Sequence, residues 1–367
     1  MRKQFFLFIL PALAAAAGCT SKPQLRDMTF EERYPFNPPT YICYRATEPI
    51  TVDGKLTEKE WGAIPWTSDF TDIEGDKQPA PFMQTRAKMA YDDKGMYFAA
   101  LMKEPHVWGT IREHDAVIYQ DNDFEIFLNP TNDTHNYLEY EINALGTDWD
   151  LYLSKPYRDA GCTVLNNWEF MGKKAAVHVD GTLNNPKDTD KAWSVEVFIP
   201  WYSLYQVIRG KEKPEPGEQI RVNFSRVEWT TEVKDGKYVK VPKKGEDKIA
   251  EYNWVWAPTG VINIHLPEYW GFVQFSDKAA GSGEDAFVAS PDEESKWILR
   301  NLYYRQNEFK NRFGEYAADL QELKPYELTT PESAAKLRLA GIPGSYEISI
   351  EAPSGKTWRI RPDGLVW

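Results

Sequence analysis

Residues 119–130 read Tyr-Gln-Asp-Asn-Asp-Phe-Glu-Ile-Phe-Leu-Asn-Pro. In a strand, successive side chains point to opposite faces. Tyr119, Asp121, Asp123, Glu125, Phe127 and Asn129 then share one face, and Phe124, Ile126 and Leu128 share the other. The second face suits a core. The first carries carboxylates and rings with no basic residue, whereas an ordinary solvated face mixes both signs of charge. The competing explanation is a wet sheet face whose acids are structural or hold a cation.

After turn-forming residues (Pro130, Asn132, Asp133), the stretch 138–144 alternates again. Leu138, Tyr140, Ile142 and Ala144 point one way; Glu139, Glu141 and Asn143 point the other. Two such runs joined by a loop predict an antiparallel pair with both apolar faces on one core. Glu125, Glu141 and Asn143 then lie on one surface. Carboxylates and amides beside rings suit a sugar, which needs hydrogen-bond partners for its hydroxyls and a flat apolar partner for its C–H face.

These residues need a scaffold, and the surrounding pattern predicts one built from strands. Candidates are 84–90, 96–103, 124–129, 138–144, 149–154, 174–179, 193–199, 220–229 and 271–276. Many short strands with little helix between them predict an all-β fold, an antiparallel β-sandwich of immunoglobulin-like or jelly-roll-like type. Thr57-Glu-Lys-Glu60 has the form of a capping box, predicting a short helix over 57–61. Ser290-Pro-Asp-Glu293 is a second helix start. Leu299, Leu302, Gln306, Phe309 and Phe313 follow at helical spacing, with Gly314 as the stop. A hairpin over 346–360 completes a small C-terminal unit expected to pack on the sandwich.

The chain opens Met-Arg-Lys, continues apolar through Ala17 and reaches Gly18-Cys19. That is an export signal, too short for a membrane span. Ala16-Ala-Gly-Cys19 resembles a bacterial lipobox, which makes Cys19 the lipid attachment site. The expected organisation is a signal peptide over 1–18, a proline-rich tether over 19–40, the sandwich over 41–277, a linker over 278–290 and the helix–hairpin unit over 291–367. The net charge is −12. Losing Arg2 and Lys3 with the signal takes it to −14, which disfavours nucleic acid as a partner. Cys43 and Cys162 either pair or stay as free thiols. Fourteen tryptophans exceed what a core needs and suggest rings held at a surface.

The order of segments carries a resemblance. Val52-Asp-Gly-Lys-Leu-Thr-Glu-Lys-Glu-Trp61 comes first, then Met89-Ala-Tyr-Asp-Asp-Lys-Gly-Met-Tyr-Phe-Ala99. Asp121-Asn-Asp-Phe-Glu-Ile-Phe127, Tyr140-Glu-Ile-Asn143, Trp193-Ser-Val-Glu-Val-Phe-Ile-Pro-Trp201 and Tyr269-Trp-Gly-Phe272 follow. Over residues 41–277 this set resembles the family 9 carbohydrate-binding modules, and more closely their lipoprotein relatives in Gram-negative polysaccharide degraders, within the DOMON-like β-sandwiches. The resemblance implies a sugar held between two rings, with structural calcium in some members and no required cofactor. Glu125 takes the place of the sugar-binding glutamate, Tyr119 that of the first clamp tryptophan, and Asn143 that of an asparagine. Glu141 stands where those modules carry arginine. Ile264 aligns nearest the second clamp tryptophan, and Trp254 or Trp256 would substitute if their loop folds back. Asp121 and Asp123 complete the expected ligand-binding set.

The expected function is non-catalytic capture of a polysaccharide or oligosaccharide by an exported lipoprotein. It would be anchored in a Gram-negative envelope beside glycan-degrading enzymes and support carbohydrate catabolism. Residues 20–24 lack an acidic pair, which favours the periplasmic side over the cell surface. The alternative is a glycoside hydrolase acting through acids of the same face. The histidines are scattered, with no Met–His pair for haem and no Cys/His spacing for zinc. Acid-rich turns such as Asp92-Asp93 and Asn132-Asp133 have oxygens that suit calcium, with ordinary solvated turns as the competing explanation.

Overall fold

A computed structural model describes residues 28–206, 211–342 and 344–367. The expected signal peptide, Cys19 and the first part of the expected tether lie outside the described residues.

In chain order, strand β1 (Thr40–Arg45) is followed by helix α1 (Lys59–Ala63) and β2 (Thr71–Asp72). Next come β3 (Thr85–Tyr91), β4 (Gly95–Lys103), β5 (Asp123–Asn129), β6 (Tyr137–Asn143), β7 (Asp148–Leu153) and β8 (Val164–Leu165). Then follow β9 (Lys174–Asp180), β10 (Ala192–Pro200), α2 (Trp201–Leu204), β11 (Gln219–Glu228), β12 (Thr231–Lys234), β13 (Lys237–Lys240), β14 (Tyr252–Val255) and β15 (Gly271–Ala279). The C-terminal unit holds α3 (Glu293–Phe313), α4 (Pro331–Ala335), β16 (Leu337–Ile342), β17 (Ser345–Glu351) and β18 (Thr357–Ile360).

The main sheet runs β8-β7-β6-β5-β11-β15-β1-β3-β4-β10-β9, with β14 also paired to β11 and to β2. It doubles over at β1, so one half faces the other across a single core. Phe98 of β4 meets Phe224 of β11 at 6.2 Å, and Tyr91 meets Phe275 at 5.2 Å. This is the expected sandwich with one departure: β1 pairs parallel with both β15 and β3. Parallel pairing needs a long crossover between strands, and the connection over residues 46–84 supplies one between β1 and β3.

The predicted pair forms as read. β5 and β6 are antiparallel, with Glu125 opposite Glu141, Asp123 opposite Asn143 and Phe127 opposite Glu139. Phe124, Ile126, Leu138, Tyr140 and Ile142 enter the main core.

Both predicted helix starts shift by two or more residues. At α1 the cap position is Glu58 and makes no side-chain cap bond. Glu60 turns instead to accept from the Glu48 N–H at 2.9 Å. At α3 the Asp292 carboxylate is taken by Ser354 and Trp358. Leu299, Leu302 and Phe309 of the apolar stripe are buried as expected, Phe313 is half-buried, and buried Gln306 is satisfied by both backbone groups of Ala317. Gly314 ends α3 at φ +83°. The hairpin gains a third strand, β16, on the edge of β17.

Two segments read as loose are fastened. From Met28 the supposed tether packs, with Met28 in the C-terminal core and Phe36 stacked on Trp297 at 4.4 Å. The supposed linker follows β15, whose Gln274 bonds the backbone of Ala286 and Val288. Cys43 and Cys162 are both free. No described helix is long and apolar enough to cross a membrane.

Candidate functional site

The polar face of β5 and β6 lies in the middle of a larger surface. β7 extends it on one side, through Glu141 opposite Trp149 and Glu139 opposite Leu151. β11 and β14 extend it on the other, through Glu125 opposite Ser225 and Val227 opposite Asn253. Three loops rise around this floor and leave a cleft of about 520 Å³. They carry Val117 and Tyr119, Tyr157, and residues 262–265 respectively. The volume falls in the range of small-molecule sites.

Each wall has a specific fastening. The turn at Tyr119 is held by Trp229, whose ring N–H donates to the Tyr119 carbonyl at 2.9 Å. The Tyr119 N–H donates to Glu141 at 3.1 Å. Tyr157 stands edge-on to His265 at 4.6 Å. Its neighbour Arg158 pairs with Glu268 at 2.9 Å, and Glu268 also accepts from Tyr304 of α3. Asp159 accepts from Tyr303. The C-terminal helix thereby fixes two walls of the cleft without lining it. Tyr119 and Tyr157 remain 37% and 53% exposed.

The floor is acidic. Glu125, Glu139 and Glu141 line it, with Asp123 on the same face one step along β5. Among the described residues, no Lys or Arg lines the cleft. Burial pushes the His265 imidazole down to about 4, so it is neutral at pH 7. Burial, reinforced by the neighbouring acids, raises Asp123, Glu139 and Glu141 well above the usual carboxylate range. Glu125 is raised to about 7, again chiefly by burial. Such a floor has acceptors in excess and hydroxyl donors wherever a carboxyl is protonated.

The predicted site residues divide. Tyr119, Glu125 and Glu141 meet in the cleft, and Ile264 lines its wall. Asp123 lies beneath. The face itself was expected to be exposed, but the loops roof it and its acids are buried. Asp121 and Asn143 are committed elsewhere. Asp121 accepts from the N–H groups of Thr110 and Ile111 and from the Thr110 hydroxyl, at 2.7–2.8 Å. Asn143 bonds Asp121, the Ile111 carbonyl, and the N–H groups of Leu145 and Thr147.

Trp254 and Trp256 are corrected most. Their segment continues a strand from Tyr252 and does not fold back as a loop. Pairing Trp254 with Arg226 places it on the core side of β14, while Asn253 faces the cleft. Trp254 is 1% exposed, and Trp256 packs on Phe224 and Gly271. Sequence reasoning missed Glu139 as a floor residue, although its alternation placed it on the right face. It also missed Trp149 and Tyr157. Trp149 heads a predicted strand, whereas Tyr157 sits in an aperiodic loop with no signal of its own.

The turns considered for calcium have most of their side-chain oxygens engaged. Asp92 accepts from the N–H groups of Lys94 and Gly95 and from the Tyr97 hydroxyl, and Asp93 pairs with Arg45 and Lys213. Asn132 accepts from Arg221, and Asp133 from Thr131 and His135.

A family model described as carbohydrate family 9 binding domain-like matches residues 52–240, just over half the chain. The chain belongs to this family. The matched segment of this family 9 domain contains β5, β6 and β7, and with them most of the cleft floor. Among solved structures, a Bacteroides uniformis ATCC 8492 protein thought to bind carbohydrate is 14% identical at a TM-score of 0.48, covering 65% of this chain and 100% of that one. A family 9 module from Caldicellulosiruptor kristjanssonii with cellotriose is 15% identical at a TM-score of 0.40, covering 67% of this chain and 98% of that one. The glucose complex of a family 9 module from the same organism is 15% identical at 0.40, covering 67% and 100%. No curated protein matches the chain.

Proposed function

We propose that the cleft binds a neutral sugar, the end or a short stretch of a glycan chain, and holds it without cleaving it. The observation that carries this reading is the pair of exposed rings, Tyr119 and Tyr157, standing over a buried floor of Glu125, Glu139 and Glu141. A pyranose offers what each part lacks. Its C–H face packs on a ring, and its hydroxyls hydrogen-bond the carboxyl oxygens, each bond worth about 1.5–3 kcal/mol where the carboxyl is ionised. The absence of Lys and Arg from the lining works against uronic acids and sulfated sugars, which would bring more negative charge to an acidic floor.

In this reading the protein is an exported lipoprotein, anchored through Cys19 in a Gram-negative envelope, and the periplasmic side is favoured. It would present glycan to degrading enzymes of that envelope and so support carbohydrate catabolism.

Titrating a panel of neutral and acidic glycans, including glucose and cellotriose, by calorimetry tests the proposal. A neutral glycan should bind, and Tyr119→Ala and Tyr157→Ala should each weaken it about tenfold, equivalent to about 1.4 kcal/mol, with unchanged melting temperature. Binding that survives both substitutions in folded protein would move the site elsewhere. New reducing ends during incubation would replace capture with hydrolysis.

A further inference from the structure

The floor contains more negative charge than its surroundings answer. Among the described residues, no ion pair to Lys, Arg or His is formed by Asp123, Glu125 or Glu141. Glu125 and Glu141 sit directly opposite each other on paired strands, where like charges are destabilising. The Asp123 carboxylate is wholly buried. One of its oxygens accepts the Val227 N–H at 3.2 Å, but the other, Oδ2, is buried with no hydrogen-bond partner. An orphaned carboxylate oxygen in a protein interior is costly unless something completes it.

The spacing indicates what completes it. One carboxylate oxygen each from Asp123, Glu125 and Glu141 can be chosen so that all lie within 4.8 Å of one another. Two oxygens bound to one Ca²⁺ at about 2.4 Å can be no farther apart than about 4.8 Å. Three hard oxygen donors from two rigid strands, open on one side to the cleft, match a hard divalent cation that takes its remaining ligands from water or from a bound molecule. Magnesium demands a tighter, near-octahedral shell, whereas calcium tolerates irregular ones.

We propose that Asp123, Glu125 and Glu141 bind one Ca²⁺ at the floor of the cleft. The ion neutralises opposed carboxylates and completes Asp123 Oδ2. It also leaves open coordination positions facing the space between Tyr119 and Tyr157. This site differs from the two acid-rich turns, whose side-chain oxygens are mostly engaged already. It stands on the geometry of the floor and holds whether or not the cleft takes a glycan.

Calorimetric titration of CaCl₂ into the EDTA-treated full chain, with no glycan present, tests the site. One Ca²⁺ should bind per chain and raise the melting temperature. Tb³⁺ should give luminescence sensitised through the adjacent Trp149 and be displaced by excess Ca²⁺. Asp123→Asn and Glu141→Gln keep the acceptors for Val227 and Tyr119, so both should fold. Each should weaken Ca²⁺ binding at least tenfold, and Asp93→Asn should leave it unchanged. Three results would each overturn the proposal: no Ca²⁺ uptake by folded protein, uptake indifferent to both floor substitutions, or stabilisation by glucosamine hydrochloride where CaCl₂ gives none. The last would assign the floor to an ammonium ligand.

Discussion

Glu268→Gln removes one charge from the junction between the C-terminal helix and the cleft wall while preserving the shape of the side chain. Glu268 is buried in the turn Pro267–Tyr269 and faces Arg158 at 2.9 Å. Burial alone would raise its carboxyl, but Arg158, then Arg300, and the Tyr304 hydroxyl outweigh burial and draw it down to about 2. The gap from the unperturbed 4.5 corresponds to about 3 kcal/mol of stability at pH 7. The cost of breaking a buried ion pair, about 3–5 kcal/mol, is of the same size. Because the folded-state pKa is depressed, the contribution is complete above pH 4.5 and is lost as pH falls through 2. At pH 3 less than half of it should remain. Urea unfolding of wild type and Glu268→Gln at pH 7 and pH 3 reads this directly. A difference under about 1 kcal/mol at pH 7, or one that does not shrink at pH 3, would refute the reasoning. Arg158 adjoins Tyr157, so the variant should also loosen that wall and weaken glycan binding.

His114 tests electrostatics of the opposite sign. Hydrogen bonding to Glu169 first, then the charges of Asp115 and Asp148, raise its imidazole to about 9; Lys173 and Asp150 complete the surrounding network. A raised pKa gives stability that is complete below 6.5 and lost as pH rises through 9, so the melting-temperature deficit of His114→Ala should be larger at pH 6 than at pH 10. An equal deficit at both would show that packing, not charge, holds the residue. Trp254→Ala should cost about 3–5 kcal/mol in denaturant unfolding, as expected of a core tryptophan. A stable Trp254→Ala protein with lost glycan affinity would restore that ring to the site.

The floor was legible in sequence because β5 and β6 each have one apolar and one polar face, and period two leaves no other assignment for Glu125, Glu139 and Glu141. Their burial was not legible, since the loops that roof them are distant in the chain. The second ring failed for a similar reason. Fourteen tryptophans announce rings, but a tryptophan's face depends on its partner strand, and the Arg226–Trp254 register turns that ring inward. Tyr157 is placed by Arg158 pairing with Glu268 more than a hundred residues away, a contact with no local pattern. In the C-terminal unit the α3 stripe showed itself through its spacing. β16 did not, because Leu-Arg-Leu-Ala-Gly-Ile pairs on only one side and most of it is exposed.

The cleft over Glu125 and Glu141 is the proposed carbohydrate site. A crystal structure of the protein with the tightest-binding neutral oligosaccharide tests it most directly. A sugar ring should lie against Tyr119 or Tyr157, with hydroxyls within hydrogen-bond distance of Glu125, Glu139 or Glu141. A sugar found instead in the hollow beside Arg45 and Lys94, or against Phe82 and Tyr252, with this cleft empty, would contradict it.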